Sequence, residues 1–284
     1  MKVIDEISKS FNKVADHYEQ AAIVQNEIGK RLLERLEYIR LNPRWILDLG
    51  CGGGNFSQQL QKYYPKARIV SLDLALQMLQ QVKKRQRWWR KWPLVCADMH
   101  QLPFATGTFD LIFSNQVLHW SSDIPAVLKE LARIMNVNAC LMFSTLGPDT
   151  FREIRETYAK IDSHAHINEF TDMHDLGDYM LKANLLDPVV DMEYLHVHYS
   201  SIEKLMNSLK SQGVKNIHSR RNKGLSGRNR IQYFKQLYHE TYQQNGKYPL
   251  TYEIVYAHAW QGAPRQTSQE KEIFIPVSML KRTL

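Results

Sequence analysis

The feature that most constrains this chain is a glycine-rich turn between an apolar run and an expected helix. Trp45-Ile46-Leu47-Asp48-Leu49 opens into Gly50-Cys51-Gly52-Gly53-Gly54, and a helix is expected from Phe56 to Tyr64, stopped by Pro65. Glycines at such a turn tolerate positive φ and let the backbone come close to a ligand. A dinucleotide site asks for G-x-G-x-x-G, but the last glycine of that pattern would fall on Asn55. The G-x-G-x-G spacing favours a smaller adenosine ligand over a pyrophosphate. Taken alone, the loop also fits a plain turn from strand to helix.

The pattern of runs beyond the loop narrows the choice. Arg68 to Asp73, Pro93 to Cys96, Phe109 to Ser114 and Cys140 to Thr145 are short apolar runs separated by helical stretches, as around Met78 and from Ile124 to Met135. Such alternation predicts βαβ units and a parallel sheet, whose ligands lie beyond the C-terminal strand ends. A polar residue sits at each end. Asp73 closes the second run, where a carboxylate accepts both ribose hydroxyls. Asp98 comes after the third, placed for an adenine amino group with the Met99 backbone beside it, and Asn115 comes after the fourth.

Residues 1–41 read as a helical cap, 42–200 as the core, 201–250 as a basic helical insertion, and 251–284 as final core strand and tail. The expected fold is α/β: a seven-stranded, mostly parallel sheet with N-terminal helices and a helical insertion before the last strand. No apolar run reaches the ~20 residues of a membrane span. The acids at Asp5 and Glu6 argue against a secretory leader. Cys51, Cys96 and Cys140 are odd in number and lie in apolar surroundings, which suits reduced, mostly buried thiols in a cytoplasmic protein. Charge is uneven. Residues 141–203 carry 4 Lys/Arg against 12 Asp/Glu, while residues 204–239 carry 9 Lys/Arg and no acid. That window, like the run Lys83 to Lys91, would attract nucleic acid, an anionic membrane or an acidic protein.

The constellation over residues 40–150 resembles class I, Rossmann-like S-adenosylmethionine-dependent methyltransferases. The resemblance implies S-adenosylmethionine as cofactor, with Asp48, Gly50 and Gly52 around its methionine moiety, Asp73 on the ribose, Leu74, Asp98 and Met99 flanking the adenine, and Asn115 at the next strand end. No metal is expected. Beyond the core, Phe11 to Ala21 with Gln25, Phe113 to Trp120, Ser144 to Glu153 and Gly246 to Trp260 are similar to one branch, the malonyl-acyl-carrier-protein O-methyltransferases of biotin synthesis. Gly53 replaces a common Thr and His119 a frequent Gln of that branch.

The branch implies methyl esterification of the free carboxylate of a malonyl thioester carried by an acidic acyl carrier protein. A carboxylate is ionised at neutral pH and needs no general base. His17, His119, His166 and His258 therefore read as structural or orienting. Tyr18 is expected to close over the cofactor. Arg152 and Arg155, after the fifth strand, are candidates to clamp the malonyl carboxylate bidentately. Two rivals are a nucleic-acid methyltransferase and a non-catalytic assembly factor of the same fold. Against the first, Ser114-Asn115-Gln116-Val117 replaces the D/N-P-P-aromatic motif of amine-methylating DNA enzymes. Against the second stands the intact set of loop and strand-end acids.

Overall fold

Period-two alternation divides the strands between two cores. Ile46, Ile69, Leu111, Phe113 and Met142 join one buried cluster, while Leu47, Val70, Ile112, Leu141 and Phe143 join another. Each sheet face is thus covered, which is why these strands read as near-continuous apolar runs. The computed structural model describes residues 2–88, 90–213, 216 and 227–263.

Three helices, α1 (Lys2–Val14), α2 (Tyr18–Ala21) and α3 (Ile23–Glu34), precede the sheet. The sheet is β1 (Trp45–Leu49), β2 (Arg68–Asp73), β3 (Leu94–Cys96), β4 (Phe109–Asn115), β5 (Met135–Leu146), β6 (Leu185–Tyr199) and β7 (Tyr248–Gln261). Between them lie α4 (Asn55–Tyr63), α5 (Leu76–Arg85), α6 (Ile124–Ile134), α7 (Arg152–Ala159), α8 (Met173–Lys182), α9 (Ile202–Ser211) and α10 (Arg228–Tyr242). Strand order is β3-β2-β1-β4-β5-β7-β6. β1 to β5 pair in parallel, and β7 runs antiparallel to both β5 and β6. β3 and β6 are the edge strands, β6 much the longer. This is the seven-stranded, mostly parallel sheet expected from the sequence.

Several details differ from the sequence reading. Residues 1–41 are broken at Ala15–His17 and at Ala22, where neither glycine nor proline marks a stop. β5 begins directly after α6, five residues before Cys140, because Asn138 takes φ +63 and lets the chain re-enter the sheet. Cys96 is exposed at the end of β3, unlike Cys51 and Cys140. The basic window is partly neutralised: Lys235 pairs with Glu203 at 2.6 Å and Arg230 pairs with Asp162. Lys215, Arg220, Arg221 and Lys223 lie outside the described residues, as does the tail beyond residue 263.

Candidate active site

The glycine loop turns tightly because three of its residues take positive φ: Gly50 (+67°), Gly52 (+52°) and Gly54 (+82°). At Gly50 the space is closed as well. A Cβ there would lie 2.2 Å from Val117 Cγ2. Cys51 N donates to Leu72 O at 2.9 Å, tying the loop to β2. Below it, Asp48 is buried in β1 and accepts from Ser57 Oγ at 2.5 Å. Ser57 meets Ser71 Oγ at 2.6 Å, and Trp92 Nε1 donates to Ser71 at 2.7 Å. Burial pushes the Asp48 carboxyl up to about 7, against the Ser57 hydrogen bond.

Asp73 holds the loop from the next strand. Its Oδ2 accepts from Gly52 N at 2.9 Å and its Oδ1 from Ala75 N at 2.8 Å. Each oxygen keeps a further lone-pair direction. Burial raises Asp73 to about 6, opposed by these backbone donors. Asp98 spends one oxygen on His100, accepting from its backbone N at 3.0 Å and meeting its ring at 2.6 Å.

These residues surround a cavity of about 740 Å³, counted to its open mouth, over the C-terminal ends of β1, β2 and β4. Gly50, Gly52, Asp73, Leu74, Asp98, Met99 and Asn115 all line it. Asp48 lines a smaller chamber on the other side of the loop, shared with Gly50, Gly52 and Asn115. A third chamber, bounded by Gln25, Gln116, His119, Phe170, Gln212 and Tyr252 among others, adjoins both. Tyr18 lines all three, so its ring stands at their junction. Burial, with the nearby Asp73 charge, pushes its phenol well above the ordinary range.

The roof is α1. Ser8 Oγ donates to Leu74 O at 3.2 Å, and Asn12 Oδ1 accepts from Gln77 N at 2.8 Å. On the other side Ser10 Oγ donates to Gly213 O at 3.0 Å, after α9. The cap and the start of the insertion therefore close over one opening.

Not every expected residue comes to the site. Arg152 and Arg155 line none of the three chambers. Arg155 donates to Pro148 O at 2.5 Å, and Arg152 lies beside the Tyr194 ring. Phe151 at φ +59 sets α7 so that Glu153, not an arginine, faces inward and accepts from Thr251 N at 3.0 Å. Asn115 reaches the cavity, but its amide donates to Gln25 O at 2.9 Å and accepts from Ser144 Oγ at 2.8 Å. The residues missed are Gln25, His119, Phe170, Gln212 and Tyr252 as one group. They come from five separate segments, so no spacing announces them.

The architecture fits S-adenosylmethionine. Glycine backbone without Cβ lies beside an acid-flanked, largely apolar cavity, and Asp48 lines the adjoining chamber. The fold and site define a class I, S-adenosylmethionine-dependent methyltransferase. A family model described as "Methyltransferase domain" matches residues 47–143. Among solved structures, the YcgJ protein of Bacillus subtilis aligns over 82% of this chain and 98% of its own at TM-score 0.59 and 14% identity. A Haemonchus contortus phosphoethanolamine N-methyltransferase, solved with S-adenosyl-L-methionine, aligns over 89% of this chain and 57% of its own at TM-score 0.55 and 14% identity. These likenesses establish the fold alone.

The sequence relatives are far nearer. A malonyl-[acyl-carrier protein] O-methyltransferase of Legionella pneumophila is 55% identical, covering 98% of both chains. One of Gallionella capsiferriformans is 42% identical over 93% of each. The chain belongs to the malonyl-[acyl-carrier protein] O-methyltransferase family.

Proposed function

We propose that this enzyme methylates the free carboxylate of a malonyl thioester on an acyl carrier protein, the first step towards the pimeloyl unit of biotin. The observation that carries the reading is the chemistry of the third chamber. Its titratable ring, His119, is held neutral by burial, which lowers it to about 3. So weak a base takes no proton from an alcohol, and a carboxylate, which arrives ionised, asks for none. Phe11, Trp120, Phe151 and Phe170 wall it against water.

When bound, S-adenosylmethionine supplies an electrophilic methyl on a sulfonium. Asp73 would hold its ribose, Leu74 and Met99 would flank the adenine with Asp98, and Gly50, Gly52 and Asp48 would surround the methionine end. Asn115 would act indirectly, by fixing Gln25 beside the chambers. Tyr18 would separate cofactor from bulk water. The carboxylate would accept the methyl without giving up a proton, so the chamber's residues would need only to orient it and exclude water. The ester removes a charge that an apolar fatty-acid tunnel could not bury without a large cost.

The carrier would be an acidic protein, met by the exposed Lys204 and Lys210 of α9 and by the basic residues C-terminal to them. No nucleic-acid or membrane partner forms part of this reading. No helix among the described residues is long and apolar enough to cross a membrane. The free thiols suit a reducing cytoplasm.

The test is methyl transfer to malonyl-carrier protein measured beside malonyl-CoA and RNA. Preferred RNA methylation would overturn the reading. For the site, Asp73→Ala should weaken S-adenosylmethionine binding at least about tenfold by calorimetry. An unchanged Kd in a folded variant would remove Asp73 from the cofactor.

A further inference from the structure

Six buried side-chain polar atoms among the described residues have no hydrogen-bond partner, and three of them belong to residues lining the third chamber. They are Gln25 Oε1, His119 Nδ1 and the Tyr252 hydroxyl. Buried polar groups are paired in the great majority of cases, so three orphans around one space indicate a missing polar ligand. Among its described lining residues the chamber has no Lys, Arg, Asp or Glu.

We infer that this trio is the carboxylate receptor of the acceptor substrate, and that it reads the malonyl group with neutral donors. This deepens the function proposed above and rests on it. The donors are available. Tyr252 OH lies beside Tyr199 and Gln212 without a hydrogen bond of normal geometry to either, so its proton can turn to a ligand. Neutral His119 donates from Nδ1 in one of its two tautomers. Gln25 now donates from Nε2 to Gln212 Oε1 at 2.9 Å, Gln212 Nε2 donates to Ser208 Oγ at 2.9 Å, and Tyr199 OH donates to Ser208 at 3.1 Å. Turning both amides over reverses the chain. Ser208 then donates to Gln212, Gln212 donates to Gln25, and the Gln25 NH2 faces the chamber. Each bond of the chain survives in the opposite direction.

Neutral donors serve the chemistry better than a cation. An arginine fork would hold the carboxylate strongly before reaction and lose that attraction as the ester forms. Interactions strongest in the ground state slow the chemical step. Hydrogen bonds from Tyr252, His119 and Gln25 orient the anion while leaving its charge available to the cofactor's positive centre. The finding that Arg152 and Arg155 lie outside the chamber is then expected.

The test uses the full-length enzyme and malonyl-pantetheine, with binding read by calorimetry in the presence of S-adenosylhomocysteine and turnover read separately. Tyr252→Phe and His119→Leu should each weaken malonyl-pantetheine binding at least about tenfold, with S-adenosylhomocysteine affinity unchanged. His119→Asn, whose amide nitrogen takes the place of Nδ1, should retain binding within about threefold, whereas His119→Gln should not. The mono-methyl ester of the same thioester should bind wild type and Tyr252→Phe alike. Wild-type binding in Tyr252→Phe and His119→Leu would overturn the receptor. Equal loss in His119→Asn and His119→Leu would remove Nδ1 from it. If wild type itself neither binds nor methylates malonyl-pantetheine or malonyl-carrier protein, the proposed function fails instead.

Discussion

The floor and the roof of the cofactor cavity are built by different forces. The floor is the end of a sheet in which Ile46, Leu47, Ile112 and Phe113 are fully buried, and the turn above them leaves no room for a Cβ at Gly50. The roof is α1, seated by a few hydrogen bonds and a small apolar cluster of Ala15, Ala75 and Met78. Dense packing gives the floor one shape. A few exchangeable polar bonds hold the roof less firmly, as suits an active-site cover.

The sharpest way to break the contrast is Gly50→Ala. The new methyl group meets Val117, a stiff β-branched side chain, and the backbone must stay at φ +67. Left-handed strain and overpacking together should cost about 3 kcal/mol, read as a lowered denaturation midpoint. Cofactor binding should be lost with it. A midpoint equal to wild type would mean the floor is as yielding as the roof.

A second effect comes from the acids in the floor. Burial raises Asp48 to about 7 and Asp73 to about 6, above their unfolded values. The folded chain therefore holds more protons than the unfolded chain between about pH 4 and pH 7. Their contribution to stability is present at low pH and is lost as pH rises through the folded values. S-adenosylmethionine should raise the melting temperature more at pH 8 than at pH 5, because it is a cation that favours the ionised acids. Scanning fluorimetry would show this, and Asp48→Asn should flatten the difference. A larger stabilisation at pH 5 would contradict it.

The smallest effect belongs to the roof. Asn12→Ala removes one exposed bond, worth about 1 kcal/mol, from the seat of α1 on α5. Cofactor affinity should fall roughly fivefold while the global denaturation midpoint stays within error. A drop in the midpoint of the size expected for Gly50→Ala would make roof and floor one cooperative unit.

The floor is the legible part of the sequence. Its strands are buried on both faces, so they appear as apolar runs, and its polar residues come directly after each run. The roof is legible only as helical: the breaks around His17 and Ala22 let α1 seat on α5 and leave no glycine or proline behind. Asn115 looks like one more strand-end ligand because a sequence does not show that its amide is spent on Gln25 and Ser144. The placement of Arg152 and Arg155 outside the three chambers is hidden for a similar reason. The left-handed turn at Phe151 rotates α7, and only the backbone reveals which face looks inward. The third chamber is illegible as a unit, since Gln25 and Tyr252 are brought together only by the finished fold.

The longer edge strand has a consequence for self-association. β6 offers fifteen residues whose outer backbone groups have no neighbouring strand among the described residues, a template on which a second chain could add. The template is interrupted. Pro188 lacks a donor, Asp187 takes φ +49, and the pairing with β7 slips between Leu186 and Val189. Farther along, Asp191 and Glu193 are drawn to Arg35 and Arg31, at 2.9 and 2.7 Å. Arg31 and Gln25 both belong to α3. The helix that supplies the carboxylate receptor with its amide thus also fastens charge along the open margin of the sheet, joining colloidal solubility and substrate choice in one element.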